Sequence, residues 1–227
     1  MKLLCLNIWG GHIKHALLDF IVRHHEVDVF CLQEVYHNAK QKSATDNRQL
    51  SLNIFSEIQQ LLPGHQGYFK PIVQGVYGQA MFIKNNIAVT DEGEQSIFHN
   101  PRYSGLGARH DRILQWAECR YQNQALLISN VHGLWNGLGK TDTADRLQQS
   151  EKINRHLQQW DCPQILCGDF NLRPDTKSIT LLGNHWRNLI TEFKVTSTRT
   201  SLYDKQEPYA DYIFVSPNIE VNQFCVL

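Results

Sequence analysis

Short apolar runs that end abruptly at polar residues restrict most strongly how this chain folds. One run, residues 164–168, ends at Asp169, and another, residues 27–33, ends at Glu34. Runs of this length are typical of β-strands covered on both faces, because such strands are apolar at nearly every position. None approaches the ~20 apolar residues that cross a bilayer. The sequence therefore predicts buried sheets and no membrane span.

The order of the segments indicates the fold class. Strand-like and helix-like segments alternate at first, and hairpin-like pairs follow, which favours a mixed sheet architecture over a purely parallel one. The predicted strands are residues 2–8, 27–33, 80–90 (hinged at Asn85-Asn86), 112–121 with 124–131 (turning at Gln122-Asn123), 164–168, 210–216 and 219–226. The predicted helices are residues 13–25, 47–62, 143–160 and a short one capped at Asp175-Thr176 that ends at Gly183. No repeat or linker interrupts them, so we expect one domain over residues 1–227.

Composition argues against a tight binder of nucleic acid or anionic membranes and against a zinc protein, although a local basic rim could still serve a phosphate substrate. The 22 basic and 22 acidic residues cancel, so the whole molecule has no long-range attraction to nucleic acid or to an anionic membrane. The six cysteines have no CxxC spacing and lie mostly in apolar runs, which predicts buried free thiols rather than a zinc site. We therefore expect a soluble cytoplasmic protein.

Polar residues at the ends of predicted strands are the candidates for chemistry. Asn7 ends the first strand and is either a turn residue or a ligand. Glu34 leaves the core at a sheet edge, where it is either a solvated acid or a ligand for a hard cation such as Mg²⁺. His132 opens a glycine-rich loop, where it is either a loop residue or a group that donates a proton or holds a phosphate oxygen.

The sharpest signal is Gly168-Asp169-Phe170-Asn171. An apolar strand breaks at Gly168, and a carboxylate and a carboxamide follow two residues apart. If the backbone remains extended there, Asp169 and Asn171 project to the same face. Such a pair can orient a water molecule for attack on phosphorus.

Taken in order, these segments resemble the endonuclease/exonuclease/phosphatase superfamily, which includes deoxyribonuclease I and the exonuclease III-like repair enzymes. Residues 168–171 match its GDFN motif letter for letter, and residues 32–34 resemble its LQE motif. Asn130-x-His132 resembles its N-x-H motif, and residues 211–216 resemble its Asp-Tyr strand. The similarities span residues 3 to 216.

The resemblance implies an α/β (α+β) four-layer sandwich of two packed, mixed, mostly antiparallel sheets flanked by helices. It implies Mg²⁺, with Mn²⁺ as the alternative, held by Glu34 with Asn7 close by. Asp169 would activate the water, and Asn171 would orient groups at the phosphate. His132 would contact the phosphate or help the leaving group. The family pattern continues to a final Ser-Asp-His motif, whose histidine Asp211 is expected to orient, so we expect the natural protein to continue beyond Leu227.

Three residues and one segment are weaker candidates for binding substrate. Arg109 and Arg112 precede a strand that leads toward the predicted site, and an arginine fork suits phosphate oxygens, although pairing with Asp111 explains them equally well. Asn136 lies in the loop after His132 and could line a pocket. Residues 198–203 could supply a substrate-binding loop, with no single residue favoured.

The sequence thus predicts a magnesium-dependent hydrolase of phosphoester bonds that acts as a phosphodiesterase or nuclease. Two alternatives stay open: a phosphomonoesterase acting on small phosphorylated metabolites or lipid headgroups, and a non-catalytic member that binds a nucleotide or a protein. The expected partner is a phosphoester substrate, either nucleic acid or a small molecule, and no obligate protein partner is evident.

Overall fold

The computed structural model of the chain describes residues 1–40, 51–105, 107–203 and 206–227, which form two β-sheets and five α-helices. The strands are β1 (Leu3–Asn7), β2 (Val29–Tyr36), β3 (His65–Val73), β4 (Tyr77–Lys84), β5 (Ala88–Phe98), β6 (Arg112–Tyr121), β7 (Gln124–His132), β8 (Gln164–Asp169), β9 (Arg187–Asn188) and β10 (Asp211–Val215). The helices are α1 (Lys14–Arg23), α2 (Ile54–Leu61), α3 (Ala144–Leu157), α4 (Lys177–Gly183) and α5 (Leu189–Glu192). In this part of the chain, no helix is long and apolar enough to span a membrane.

The two sheets are mixed and mostly antiparallel, as predicted. The first has the strand order β1-β2-β4-β3, and the second has the order β5-β6-β7-β8-β10-β9. Two neighbouring pairs are parallel, β1 with β2 and β7 with β8, and each is connected through a helix, α1 and α3 respectively. The other neighbouring pairs are antiparallel.

Among the described residues, three hydrophobic cores separate four layers. One core lies between the sheets, and the other two lie between each sheet and the helices on its outer face. Strand β2 shows why its sequence is continuously apolar: Phe30 and Leu32 pack toward α1 and α2, whereas Val29 and Cys31 pack toward the second sheet. The predicted four-layer sandwich is therefore confirmed.

Two local predictions are confirmed, the turn at Gln122-Asn123 and the helix cap at Thr176. The hairpin between β6 and β7 turns at Gln122 and Asn123, which both have positive φ values, 51° and 65°. The Thr176 side chain caps α4 by accepting a hydrogen bond from the amide of Ile179. Helix α3 begins in the same way after Thr143.

The predicted hairpin at Asn85-Asn86 is wrong. The chain does turn there, but β4 lies in the first sheet and β5 in the second, so the turn carries the chain from one sheet to the other. Both edges of β4 are already paired, one with β2 and one with β3, so β5 has no free edge to join. Strand β3, which was not predicted, forms the hairpin with β4 instead.

The predicted strand over residues 219–226 is also wrong. These residues are irregular, although Ile219, Val221 and Phe224 pack against the core between the sheets. At Phe214 and Val215, β10 is paired on both sides, with β8 and with β9, so a further strand finds no neighbour there. The alternating apolar residues are buried without a hydrogen-bonded ladder.

The predicted helix over residues 47–62 is shorter in the structure. Residues 47–50 lie outside the described residues, and α2 begins at Ile54 after the loop residues 51–53. The helical spacing of Ile54 and Ile58 is real, since both side chains are fully buried against the first sheet.

All six cysteines carry free thiols, as predicted. Cys31, Cys119 and Cys167 are buried, but Cys225 is exposed, which corrects the expectation of burial for that residue.

Candidate active site

The ends of three neighbouring strands bring three polar side chains side by side. His132, at the end of β7, lies opposite Asp169, at the end of β8, and Asp169 lies opposite Asp211, at the start of β10. Asn7, at the end of β1, and Glu34, in β2, come from the other sheet. The candidate site is therefore built by both sheets, at one end of the interface between them.

The Asn7 side chain joins the two halves of the site. Its amide nitrogen Nδ2 donates to Glu34 Oε1 and to Asp169 Oδ2, both at 3.1 Å. Its oxygen Oδ1 accepts from the backbone amide of Trp9 at 2.9 Å, which fixes the orientation of the side chain. One amide thus bridges carboxylates that belong to different sheets.

Glu34 lies inside β2 and not beyond its end, which corrects the sequence interpretation. The pairing of β2 with β4 shifts between Gln33 and Val35, and Glu34 has a positive φ of 59°. A bulge of this kind re-aims a side chain that would otherwise follow the alternation of the strand. Here it lets Glu34 reach Asn7 and His132.

Asp169 is buried and surrounded by hydrogen-bond donors. Oδ1 accepts from the backbone amide of Asn171 at 2.9 Å, and Oδ2 accepts from Asn7 and, at 3.3 Å, from Arg199 Nη2. The preceding Gly168 has φ +150°, and a Cβ there would lie 1.9 Å from the carbonyl oxygen of Val131. Glycine is required at this position because β7 and β8 approach each other so closely.

Asn171 does not continue an extended strand, so the expectation that it projects beside Asp169 is wrong. Its φ is +54°, and its Nδ2 atom donates to the carbonyl oxygen of Gly133 at 3.2 Å. The side chain therefore holds the loop after His132, while the backbone amide holds Asp169.

His132 is buried and neutral. Burial, helped by the positive charge of Arg112, holds its pKa well below the ordinary value. Its Nε2 atom lies 3.8 Å from Glu34 Oε1, and its Nδ1 atom has no hydrogen-bond partner among the described residues. The ring of His110 lies nearby, with 6.3 Å between the ring centroids, and burial lowers the pKa of His110 to about 3.

The pKa of Asp211 is shifted in the opposite direction, upward. Burial and the neighbouring negative charge of Asp169 raise its pKa to about 7, against the opposing effect of Arg199. Arg199 Nη1 lies 3.6 Å from Asp211 Oδ2. Asp211 therefore changes its protonation near neutral pH.

The three weaker candidates have different positions. Arg112 is buried, and its neighbourhood includes the negative charges of Glu34 and Asp169, which oppose the fall in its pKa caused by burial. Its Nη2 atom donates to the carbonyl oxygen of Ala108, whereas Nε and Nη1 have no hydrogen-bond partner among the described residues.

The other two weaker candidates are not brought to the site by any contact in the described structure. Arg109 is exposed, and its carbonyl oxygen accepts a hydrogen bond from Asn100. Asn136 uses its side chain within its own loop, accepting from the amide of Leu138 and donating to Thr143.

Sequence reasoning missed two cations at the site, Arg199 and Lys140. Arg199 contacts both Asp169 and Asp211, and the pKa of Lys140 is lowered to about 8, by burial and then by the charge of Arg199. Both lie in loops without periodicity. Arg199 belongs to the segment 198–203, whose composition singled out no residue.

The site fits a hard cation held by few protein atoms. The amide nitrogen of Asn7 lies between two carboxylate oxygens, a position that a small cation would also favour. In the described part of the chain, no three His, Cys, Asp or Glu side chains gather around one point as a dedicated metal cage requires. Mg²⁺ needs only one or two carboxylates, because water and substrate phosphates complete its shell. The donor set therefore suits Mg²⁺ better than Zn²⁺.

Comparison with known proteins gives the family. A family model described as Endonuclease/Exonuclease/phosphatase family matches residues 4–227. The fold resembles that of the Bacteroides thetaiotaomicron VPI-5482 mannosyl-6-phosphatase Bt3783, with a TM-score of 0.72, 17% identity, and 95% of this chain and 85% of that chain covered.

Two further structures are similar. The human Nocturnin catalytic domain with a bound sulfate anion matches with a TM-score of 0.67 at 19% identity, covering 96% of this chain and 82% of that chain. D. rerio TDP2 complexed with a single-strand DNA product matches with a TM-score of 0.68 at 14% identity, covering 94% and 82%. No curated protein sequence matches. Because the family model covers nearly the whole chain, this protein belongs to the endonuclease/exonuclease/phosphatase family of phosphoester hydrolases.

Proposed function

We propose that this protein is a magnesium-dependent hydrolase that uses water to cleave phosphoester bonds. The observation that carries the proposal is the bridge made by Asn7 between Glu34 and Asp169. It supports the proposal because it joins the two carboxylates by hydrogen bonds, and His132 and Asp211 lie on the strands beside Asp169.

Glu34 and Asn7 would hold the metal ion. The Asn7 amide would have to turn over to present Oδ1 rather than Nδ2 to a cation, giving up the hydrogen bond that Oδ1 accepts from the Trp9 amide. When bound, a hard divalent cation polarises phosphoryl oxygens and neutralises the charge that develops on them.

Asp169 would orient the attacking water and take its proton. Its carboxylate is held through both oxygens, by Asn171 on one side and by Asn7 and Arg199 on the other. A carboxylate fixed in this way loses little entropy when it positions a water molecule. Asn171 would act as a positioning residue, through Asp169 and the loop at Gly133.

His132 and Asp211 would act on the phosphoryl group and on the leaving group. A neutral imidazole donates a hydrogen bond from one ring nitrogen, so His132 suits a phosphate oxygen without adding charge. Asp211, with a pKa of about 7, is suited to deliver a proton to the leaving oxygen near neutral pH. Arg112 would supply N–H donors to the phosphate.

The similar structures include proteins whose names describe different phosphoester substrates. One is a mannosyl-6-phosphatase, which acts on a monoester, and another is complexed with a DNA product. Both a diesterase and a monoesterase therefore remain within the proposal.

The test compares the chain with its Asp169→Asn variant in the presence of Mg²⁺. Plasmid DNA, bis-p-nitrophenyl phosphate and p-nitrophenyl phosphate serve as substrates. We expect Asp169→Asn to lower kcat by ~10²–10⁴-fold, which is the usual contribution of a general base. Asp19→Asn, on the exposed face of α1, is the matched control and should keep full activity.

Magnesium titration separates the enzyme from a non-catalytic binding protein. We expect EDTA to abolish turnover, and we expect added Mg²⁺ to restore it with a saturable dependence. Equal activity of the chain and of Asp169→Asn would contradict the role of Asp169. If no substrate is cleaved and Mg²⁺ has no saturable effect, the chain is a non-catalytic member of its family.

A further inference from the structure

A pair of cations stands beside the candidate site, and the reaction described above leaves both without a role toward substrate. Arg199 and Lys140 come from different loops, and both approach the ring of Tyr203. The Lys140 Nζ atom lies 4.7 Å from the ring centroid, and the Arg199 guanidinium carbon lies 5.0 Å from it. The tyrosine ring therefore gathers two positive charges at one point.

The contacts of Arg199 are loose. Each of its two terminal nitrogens approaches one carboxylate oxygen, at 3.3 Å for Asp169 and 3.6 Å for Asp211. The partly exposed Arg173 instead forms a tight fork with Asp175, through bonds of 3.0 Å and 2.9 Å. Arg199 thus keeps donors that can turn to another acceptor.

Buried donors beside the site also lack acceptors. Arg199 Nε and the Nε and Nη1 atoms of Arg112 have no hydrogen-bond partner among the described residues. Arg112 is only 1% exposed. A buried N–H without an acceptor costs about 1–3 kcal/mol, so a ligand that supplies oxygen acceptors gains affinity there.

The charges of the site indicate which anion fits. Glu34, Asp169 and Asp211 face Arg112, Arg199 and Lys140, so the charges balance while Asp211 is ionised, and the site becomes more positive when Asp211 carries its proton. A bound divalent cation leaves two positive charges in a largely buried place. A phosphomonoester carries two negative charges above its second pKa of about 6, whereas a phosphodiester carries one. The monoester therefore neutralises the loaded site, and the diester does not.

We propose that the substrate is a phosphomonoester, and that Arg199 is a catalytic residue that binds the non-bridging oxygens of its dianionic phosphate. This inference rests on the proposed function. Lys140 contributes charge and position, since its Nζ atom donates to the carbonyl oxygens of Tyr209 and Glu207 at 2.6 and 3.3 Å. Arg199 leaves Asp169 and Asp211 when the phosphate arrives. Asp169 stays held by the backbone amide of Asn171 and by Asn7, and both carboxylates are then available for proton transfer.

The first experiment compares two esters with the same leaving group, p-nitrophenyl phosphate and bis-p-nitrophenyl phosphate, with Mg²⁺ at about pH 7.5, above the second pKa of the monoester. We expect the chain to prefer the monoester. We expect Arg199→Ala to lower kcat/KM for the monoester by ~10²–10³-fold, the usual cost of removing a charge-stabilising donor, and to lower it for the diester by less than ~10-fold.

Arg199→Lys keeps the charge and loses the fork, so it should restore part of the preference for the monoester. Arg173→Ala removes a partly exposed arginine outside the site and should change kcat/KM for neither substrate. An equal fall on both esters, or a wild-type preference for the diester, would overturn the proposal.

The second experiment measures binding without turnover. Inorganic phosphate and dimethyl phosphate are titrated into the Mg²⁺-loaded chain and into Arg199→Ala by calorimetry. We expect phosphate to bind at least ~10-fold more tightly than dimethyl phosphate, and the difference to vanish in Arg199→Ala. Equal affinity for the two anions would overturn the proposal. If neither ester is hydrolysed, the proposed function fails, and this titration still decides whether Arg199 binds a phosphate dianion.

Discussion

A substitution at Asn130 tests the packing of the two sheets most directly. It is fully buried, and its Nδ2 atom donates to the carbonyl oxygens of Leu32 and Ala80 at 3.1 and 3.3 Å and to Gln115 Oε1 at 3.3 Å. Its Oδ1 atom accepts from Gln33 Nε2 at 2.6 Å. Leu32 and Ala80 belong to the first sheet, so this side chain from the second sheet hydrogen-bonds across the interface.

Asn130→Asp keeps the shape of the side chain and replaces its NH₂ group with an oxygen that faces three oxygens. An ionised carboxylate is untenable there, so the native protein would keep it protonated. Losing one of the two donor hydrogens costs about 1–3 kcal/mol. Keeping the carboxyl protonated at pH 7, about three units above its ordinary pKa of 3.9, costs about 4 kcal/mol more. The total is about 5–7 kcal/mol, a large part of the stability of a typical domain.

The cost depends on pH in a defined direction. The pKa of the new carboxyl is raised in the folded state, so the folded chain holds a proton that the unfolded chain releases above about pH 4. The free energy of unfolding of the variant, relative to that of the unchanged chain, therefore falls by about 1.4 kcal/mol for each pH unit between pH 4 and 7.

Urea denaturation followed by tryptophan fluorescence at about pH 5, 6 and 7 measures this difference. Asn86→Asp, at an exposed turn, is the matched control and should cost less than about 0.5 kcal/mol at every pH. A loss for Asn130→Asp that does not change with pH, or that stays below about 1 kcal/mol at pH 7, would refute the reasoning. In that case water would have to reach the polar group between the sheets.

Three further predictions concern the site. With an alkyl phosphate as substrate, kcat/KM should fall as pH rises past about 7, because Asp211 loses the proton that the leaving group needs. Arg199→Gln should move this fall to higher pH, because Arg199 holds the pKa of Asp211 down. Mg²⁺ should raise the Tm of the unchanged chain, and Glu34→Gln should remove most of that rise, in calorimetric scans with and without EDTA. Gly168→Ala should destabilise the chain by more than about 3 kcal/mol in urea and abolish turnover, because the new Cβ meets the carbonyl oxygen of Val131.

Each of these predictions has an outcome that counts against it. If the fall of kcat/KM with pH occurs at the same pH in Arg199→Gln, the titrating group is not Asp211. A Mg²⁺-dependent rise in Tm that survives in Glu34→Gln would place the cation elsewhere. Gly64→Ala is the control for Gly168→Ala because a Cβ at Gly64 meets no atom within 4 Å, and equal losses in the two variants would deny the close approach of β7 and β8.

The general architecture could be predicted because buried strands have continuously apolar sequences. The runs at residues 27–33 and 164–168 became β2 and β8, and the polar residues that end β1, β7 and β8 lie together. The polar end of a buried strand is a local signal, since the chain leaves the core there. Which strand pairs with which is not local, and the turn at Asn85-Asn86 was misassigned for that reason.

The parts of the site that escaped prediction depend on tertiary structure. Glu34 reaches Asn7 only through a bulge, and the bulge arises from pairing with β4, which is far away in the sequence. Arg199 and Lys140 lie in loops whose sequences carry no periodicity, and both approach the ring of Tyr203. A contact that requires two loops and a distant ring leaves no pattern in any one segment.

Asn130 and His132 belong to one motif in β7 but have different roles, one in packing and one at the site. Residues two apart in a strand face the same side of the sheet, and here that side is the other sheet. Asn130 lies inside the interface and bonds to the backbone of β2 and β4. His132, one step nearer the strand end, lies 3.8 Å from Glu34 Oε1. The polar group that fixes the distance between the sheets therefore also fixes the distance between His132 and Glu34, so the stability of the interface and the geometry of the site depend on the same strand.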